Sequence, residues 1–136
     1  MTVLDHKTVL STVTRIVNAG PLDALPRRRA DLDVLLALAC ARFQYGRAYR
    51  EDEVNEELLV WLESFATNAV DHVSVRRELV DRQLLLRDAA GAAYRLNRAG
   101  LDALIDVSAR TVDPGDVMNA VQLRREDRKR ARDATR

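Results

Sequence analysis

All but two of the 22 basic side chains in this chain are arginines, and spaced arginines capture phosphate and carboxylate oxygens rather than make bonds. Ser74 and Arg77 are three residues apart and therefore share a face of any helix that contains them. A hydroxyl and a guanidinium at that spacing suit a groove or a phosphate of a nucleic acid. Arg87 and Arg95 follow, Arg27, Arg28 and Arg29 form a basic triplet, and Arg124, Arg125, Arg128, Lys129 and Arg130 crowd the C-terminus with Arg132 behind them. Each is a candidate phosphate contact, and the C-terminal group neutralises charge without reading sequence. The competing expectation for any one of them is a solvated surface charge. Arg77 with Asp81 and Glu78 with Arg82 also have the i, i+4 spacing of local ion pairs, each worth about 0.3 kcal/mol.

No arrangement for catalysis accompanies these cations. A glycine-rich phosphate loop and a nucleophile elbow are both missing, and Cys40 with His6 and His72 gives no zinc spacing. The expectation is a binding protein without enzyme activity, metal or cofactor. A single cysteine fits a reducing, cytoplasmic setting. The start of the chain lacks a basic segment followed by an apolar run, and no stretch approaches the roughly 18 apolar residues of a membrane span.

The elements that must position these residues follow from periodicity. Val9, Val13, Ile16 and Val17 form one stripe of a first helix within residues 3 to 18, which Gly20-Pro21 ends. Leu32, Leu35, Leu36, Ala39 and Phe43 define a second helix, roughly 30 to 43, with Cys40 inside it as inert packing. Gly46 permits a sharp turn before a short strand over 47 to 49. Val54, Leu58, Trp61, Leu62 and Phe65 form the buried side of a third helix, whose residues 51 to 63 carry six acids and no base. Asp71 caps a fourth helix that reaches about Gln83. Residues 84 to 88 and 93 to 97 then alternate as two strands around Ala89-Ala-Gly91. Helix, short strand, helix, helix, hairpin is the order of a winged helix-turn-helix, and further helices follow near 101 to 110 and from Val117. The fold class expected is mainly α with a small β-hairpin, a winged helix-turn-helix with extra N- and C-terminal helices. Its segments are 1–24, 25–97, 98–123 and a basic tail 124–136 whose order is open.

On the fourth helix, Val75 and Leu79 mark one edge of an apolar arc and Val73 and Val80 the other, with Arg76 between them. Arg76 is accordingly expected to be structural, its guanidinium paired to Glu53, Glu56 or Glu57. Arg77 projects outward with Ser74 and Asp81. Asn55 and Trp61 are assigned to hydrogen bonding and core packing.

Several motifs occur in a fixed order: Leu25-Pro-Arg-Arg-Arg29, Phe43, Gly46 and Tyr49, Glu53-Val-Asn55, Arg76-Arg-Glu-Leu-Val-Asp81, and Tyr94. Through them residues 25 to 97 resemble the bacterial family catalogued as domain of unknown function 2087. The resemblance implies a winged helix, found alone or joined to an ArsR-type regulator, and with it transcriptional regulation. Arg50 stands where the family has the Ser or Thr of a capping box, which forfeits roughly 1 kcal/mol. Only 24 residues precede Leu25, too few for a joined ArsR domain, so the terminal helices are expected to dimerise.

Two functional readings follow. In the first, a homodimer joined through its terminal helices docks the fourth helix in the major groove of double-stranded DNA with the wing alongside. In the second, a non-catalytic protein–protein interaction module uses the winged helix as scaffold and the terminal helices as the contact surface. The near-neutral 26 to 97 region, with 11 basic and 12 acidic residues, favours the second. The acidic third helix would repel phosphates unless it points away.

Overall fold

The computed structural model describes residues 2–135, so the outermost residue of each terminal segment lies outside it. Helix α1 (His6–Ile16) starts where Asp5 accepts a hydrogen bond from the Thr8 amide at 2.8 Å, satisfying one of the first-turn donors. Its stripe of Val9, Val13 and Val17 is buried, packed within the chain against α2 (Arg29–Cys40) and α6 (Pro114–Ala134). That apolar stripe, which the sequence offers as a dimer contact, is therefore covered intramolecularly. A bidentate pair from Arg15 to the buried Asp31, at 2.8 Å on both oxygens, fixes α1 against the first turn of α2. Helix α2 is the centre of the core, with every residue from Val34 to Cys40 buried.

Helix α3 (Glu51–Glu63) buries Val54, Leu58, Trp61 and Leu62, and Trp61 meets Phe65 edge-on with centroids 4.7 Å apart. Half of the capping box survives without Ser or Thr at position 50, because Glu53 accepts from the Arg50 amide at 3.0 Å. The Arg50 side chain has no acceptor to return and pairs with Asp52 instead. Helix α4 (His72–Asp81) is capped by Asp71, which accepts from the Val73 amide at 3.1 Å, and it turns Val75 and Leu79 fully inward. The helix-turn-helix unit is α3 and α4, joined through residues 64 to 71.

Strands β1 (Leu85–Arg87) and β2 (Tyr94–Leu96) pair antiparallel in the register Leu85–Leu96, Leu86–Arg95, Arg87–Tyr94. Asp88 closes the wing tip by accepting from the Ala92 amide, and Gly91 supplies the φ of +70° that the turn needs. The strand expected over 47 to 49 contracts to one residue. Tyr49 exchanges two 2.8 Å backbone bonds with Tyr94, extending the sheet by a single bridge.

The last helical region divides. Helix α5 (Arg98–Leu104) stops because Ile105 and Asp106 must pair with Leu4, whose amide bonds the Leu104 carbonyl at 3.0 Å. A 3-10 turn (Val107–Ala109) leads to Asp113, which caps α6 at Gly115 with Pro114 in the first turn. Helix α6 then continues through the basic segment without a break. Its basic C-terminal half is favoured by the negative end of the helix dipole.

Candidate functional site

The outward face of α4 and one face of the wing meet in a shallow cavity of about 260 Å³, lined by Arg76, Arg77 and Asp81 of α4, Arg87 and Tyr94 of the wing, and Glu51 of α3. Helical projection explains why α4 presents Arg77. With Val75 and Leu79 buried, residues 74, 77 and 81 fall roughly opposite, and all three are exposed. The strand register explains Arg87. Leu85 and Arg87 share a face with Leu96 and Tyr94, and that face turns toward α4.

Arg76 and Arg77, adjacent in sequence, have separate destinations. The Arg76 side chain is 15% exposed, donates to Asn55 Oδ1, and lies 3.4 Å from Glu51 Oε1. Tyr94 donates its hydroxyl to the same Glu51 oxygen at 3.0 Å, so one carboxylate joins α3, α4 and the wing. Burial, with this hydrogen bond second, raises the Tyr94 hydroxyl pKa above the usual phenol value. Arg76 is thus paired within the fold, and its partners are Asn55 and Glu51 rather than the expected Glu53, Glu56 or Glu57. Glu53 is engaged by Arg47 and the Arg50 amide, and Glu57 by Arg42.

Arg77 makes no ion pair among the described residues, and the Arg77–Asp81 pair that the spacing allows is not formed. Glu78 and Arg82 do pair, at 3.1 Å, and Arg82 also reaches Asp33 of α2. Arg87 stacks its guanidinium 5.7 Å from the Tyr94 ring centroid and lies across the wing turn, where it would meet a side chain at Gly91. Ser74 is exposed and hydrogen-bonds Asp71 at the helix start.

The other candidates lie elsewhere. Arg95 points to the opposite face of the wing from Arg87, beside the exposed Leu86, and reaches the Gly46 carbonyl at 3.4 Å. Arg27, Arg28 and Arg29 are exposed around the start of α2, where the helix dipole disfavours cations. Arg29 borders a second depression that shares Asp81 with the first. Arg124, Arg125, Arg128, Lys129 and Arg130 are on α6, and Trp61 is 3% exposed in the core.

The acidity of α3 is largely cancelled inside the fold. Four of its six acids are in ion pairs: Glu51 with Arg76, Asp52 with Arg50, Glu53 with Arg47, and Glu57 with Arg42. Sequence reasoning missed this because only the Arg50 pair is local. It also missed Glu51 and Asp81 as walls of the cavity. Cys40 is wholly buried, which pushes its thiol pKa up to about 12 and leaves it inert packing.

The model of one protein family, described as "Uncharacterized protein conserved in bacteria (DUF2087)", matches residues 21–96, more than half of the chain. No curated protein and no solved structure matches. No helix among the described residues is long and apolar enough to cross a membrane.

Proposed function

The chain belongs to the bacterial DUF2087 family, and from that premise we propose that it is a non-catalytic, winged-helix DNA-binding protein acting in transcriptional regulation. The observation that carries the reading is the convergence of two guanidinium groups without ion pairs, Arg77 from α4 and Arg87 from the wing, on one open cavity. In this reading α4 enters the major groove with Ser74 and Arg77 toward the duplex, and Arg87 takes an adjacent phosphate. Arg76, Asn55, Glu51 and Tyr94 hold α4 and the wing at a fixed angle, so both contacts are pre-organised. Asp81 sits between Arg77 and Arg29 and opposes close approach of a phosphate at that edge. That single carboxylate confines contact to the wing side of α4.

The test is duplex binding by the full chain at low salt, compared with an Arg77→Ala, Arg87→Ala double variant. Two phosphate contacts correspond to a salt slope smaller by about 1.8. An unchanged slope and affinity would refute the docking mode.

A second reading, a protein–protein interaction module on the same scaffold, has its own observation. Leu59 and Val60 are 45% and 55% exposed on α3, beside Glu56 and Glu63, which form no ion pair among the described residues. An apolar pair ringed by acids suits a basic protein partner. Loss of a co-purifying partner on Leu59→Lys, with duplex binding absent in the unaltered chain, would favour this reading.

A further inference from the structure

The C-terminal basic run is half of an ordered helix, and its charges are sorted by face. At 100° per residue, Val117, Val121, Arg124, Arg128 and Arg132 lie along one line of α6, with Met118, Arg125 and Lys129 beside them. Val117, Met118 and Val121 are buried against the body, whereas every described residue after Val121 is exposed. The inward face of the helix therefore changes from apolar to cationic where α6 runs past its support. Glu126, Asp133 and the Asp127–Arg130 ion pair occupy the other side. None of the five stripe cations is in an ion pair among the described residues, and Arg125 donates to Asn18 Oδ1 at 2.9 Å at the end of α1.

We propose that this face of α6 is a second phosphate-contacting surface for duplex DNA, separate from α4 and the wing; it rests on the duplex-binding reading above. Three features select that partner. An apolar helix is excluded, because it would desolvate five cations without pairing them. A folded acidic protein would need an apolar anchor at the centre of the contact, and the stripe after Val121 holds none. The stripe from Arg124 to Arg132 runs about 12 Å, comparable with the roughly 12 Å width of the major groove, so cations at its two ends can meet phosphates of both strands.

The experiment measures binding of the full chain to a mixed-sequence duplex by fluorescence anisotropy across a salt series. Arg124→Gln, Arg128→Gln, Arg132→Gln together should lower the slope of log affinity against log salt by about 2.7 with only a small change in thermal melting, since all three side chains are exposed. At equal net charge, Arg128→Gln should lower it by about 0.9, and Arg130→Gln, on the other face, should leave it nearly unchanged. Equal effects of those two single variants, or a triple variant with the wild-type slope, would overturn the stripe. So would a triple variant that changes only the sedimentation of the protein, since α6 would then contact a second copy. If the Arg77→Ala, Arg87→Ala variant keeps its affinity while the triple loses it, the stripe stands and the docking of α4 falls. With the opposite pattern the docking of α4 stands and the stripe falls, and no duplex retention by the unaltered chain at low salt rejects both.

Discussion

Adjacent arginines with opposite roles give the sharpest test of the face assignment on α4. Arg76→Ala removes a mostly buried guanidinium that bonds Asn55 and approaches Glu51. Hydrogen bonds involving a charged group contribute about 1.5–3 kcal/mol. The Glu51 side chain is 49% exposed, so its share is screened and most of the loss falls on Asn55. The expected destabilisation is about 2 kcal/mol. Arg77→Ala, by contrast, removes an exposed side chain with no ion pair, and its stability should stay within about 0.5 kcal/mol of the parent. Urea unfolding followed through Trp61, the single tryptophan, measures both. Duplex affinity should invert the order: Arg77→Ala lowers the salt slope by about 0.9, and Arg76→Ala, in conditions where it stays folded, changes affinity by less than about threefold. A loss of more than about 1 kcal/mol from Arg77→Ala, or a stable Arg76→Ala that no longer binds, would refute the division between framework and contact.

Two further outcomes test the packing beneath the site. A side chain added at Gly115 would lie 2.5 Å from Ser64 Cβ where α6 begins against the end of α3, so Gly115→Ala should cost about 1–3 kcal/mol, with partial recovery on adding Ser64→Gly; equal melting of Gly115→Ala and the parent would contradict this contact. The Asp31 carboxyl is held below the usual carboxylate range chiefly by its hydrogen bonds from Arg15, so its stabilising effect is complete above the unfolded value near about 3.9 and disappears as pH falls through the lower folded value. Asp31→Asn should therefore melt below the parent at pH 7 and approach it under about pH 4, and a gap independent of pH would exclude the mechanism.

What the sequence disclosed and what it withheld divide along a physical line. The inward turn of Val75 and Leu79, the Asp71 cap and the alternation in the wing are local consequences of helix and strand periods, so they could be read residue by residue. The i, i+4 pair of Glu78 with Arg82 could be read as well, but the distant partners of charged side chains could not. Arg15 meets Asp31 across 16 positions, Arg76 meets Asn55 across 21, and Arg82 meets Asp33 across 49. Those distances are set by how helices cross, which periodicity does not encode. Element ends depend on the same long-range geometry: α5 stops at Leu104 because Leu4, a hundred residues earlier, takes its last carbonyl. The state of the basic tail is equally illegible, since composition alone does not distinguish a solvated run from a helix. Its sorting of charge becomes visible only once α6 is known to continue from Val117.

Net charge is a poor guide to what this surface can bind. The 26 to 97 region is one base short of neutral, which by itself argues against a polyanionic partner. Yet Arg42, Arg47, Arg50 and Arg76 are the arginines that pair with α3, while Arg27, Arg28, Arg29, Arg77, Arg87 and Arg95 form no ion pair among the described residues. Opposite charges within a few ångströms cancel at distances beyond the roughly 10 Å Debye length, so α3 presents a far weaker field than its six acids suggest. What a partner meets near α4 is then decided by the unpaired groups: Arg77 and Arg87 on the cavity, Arg29 beyond it, and Asp81 between. An acidic third helix therefore need not point away from a duplex, because the arginines before it and Arg76 after it already neutralise the side that matters.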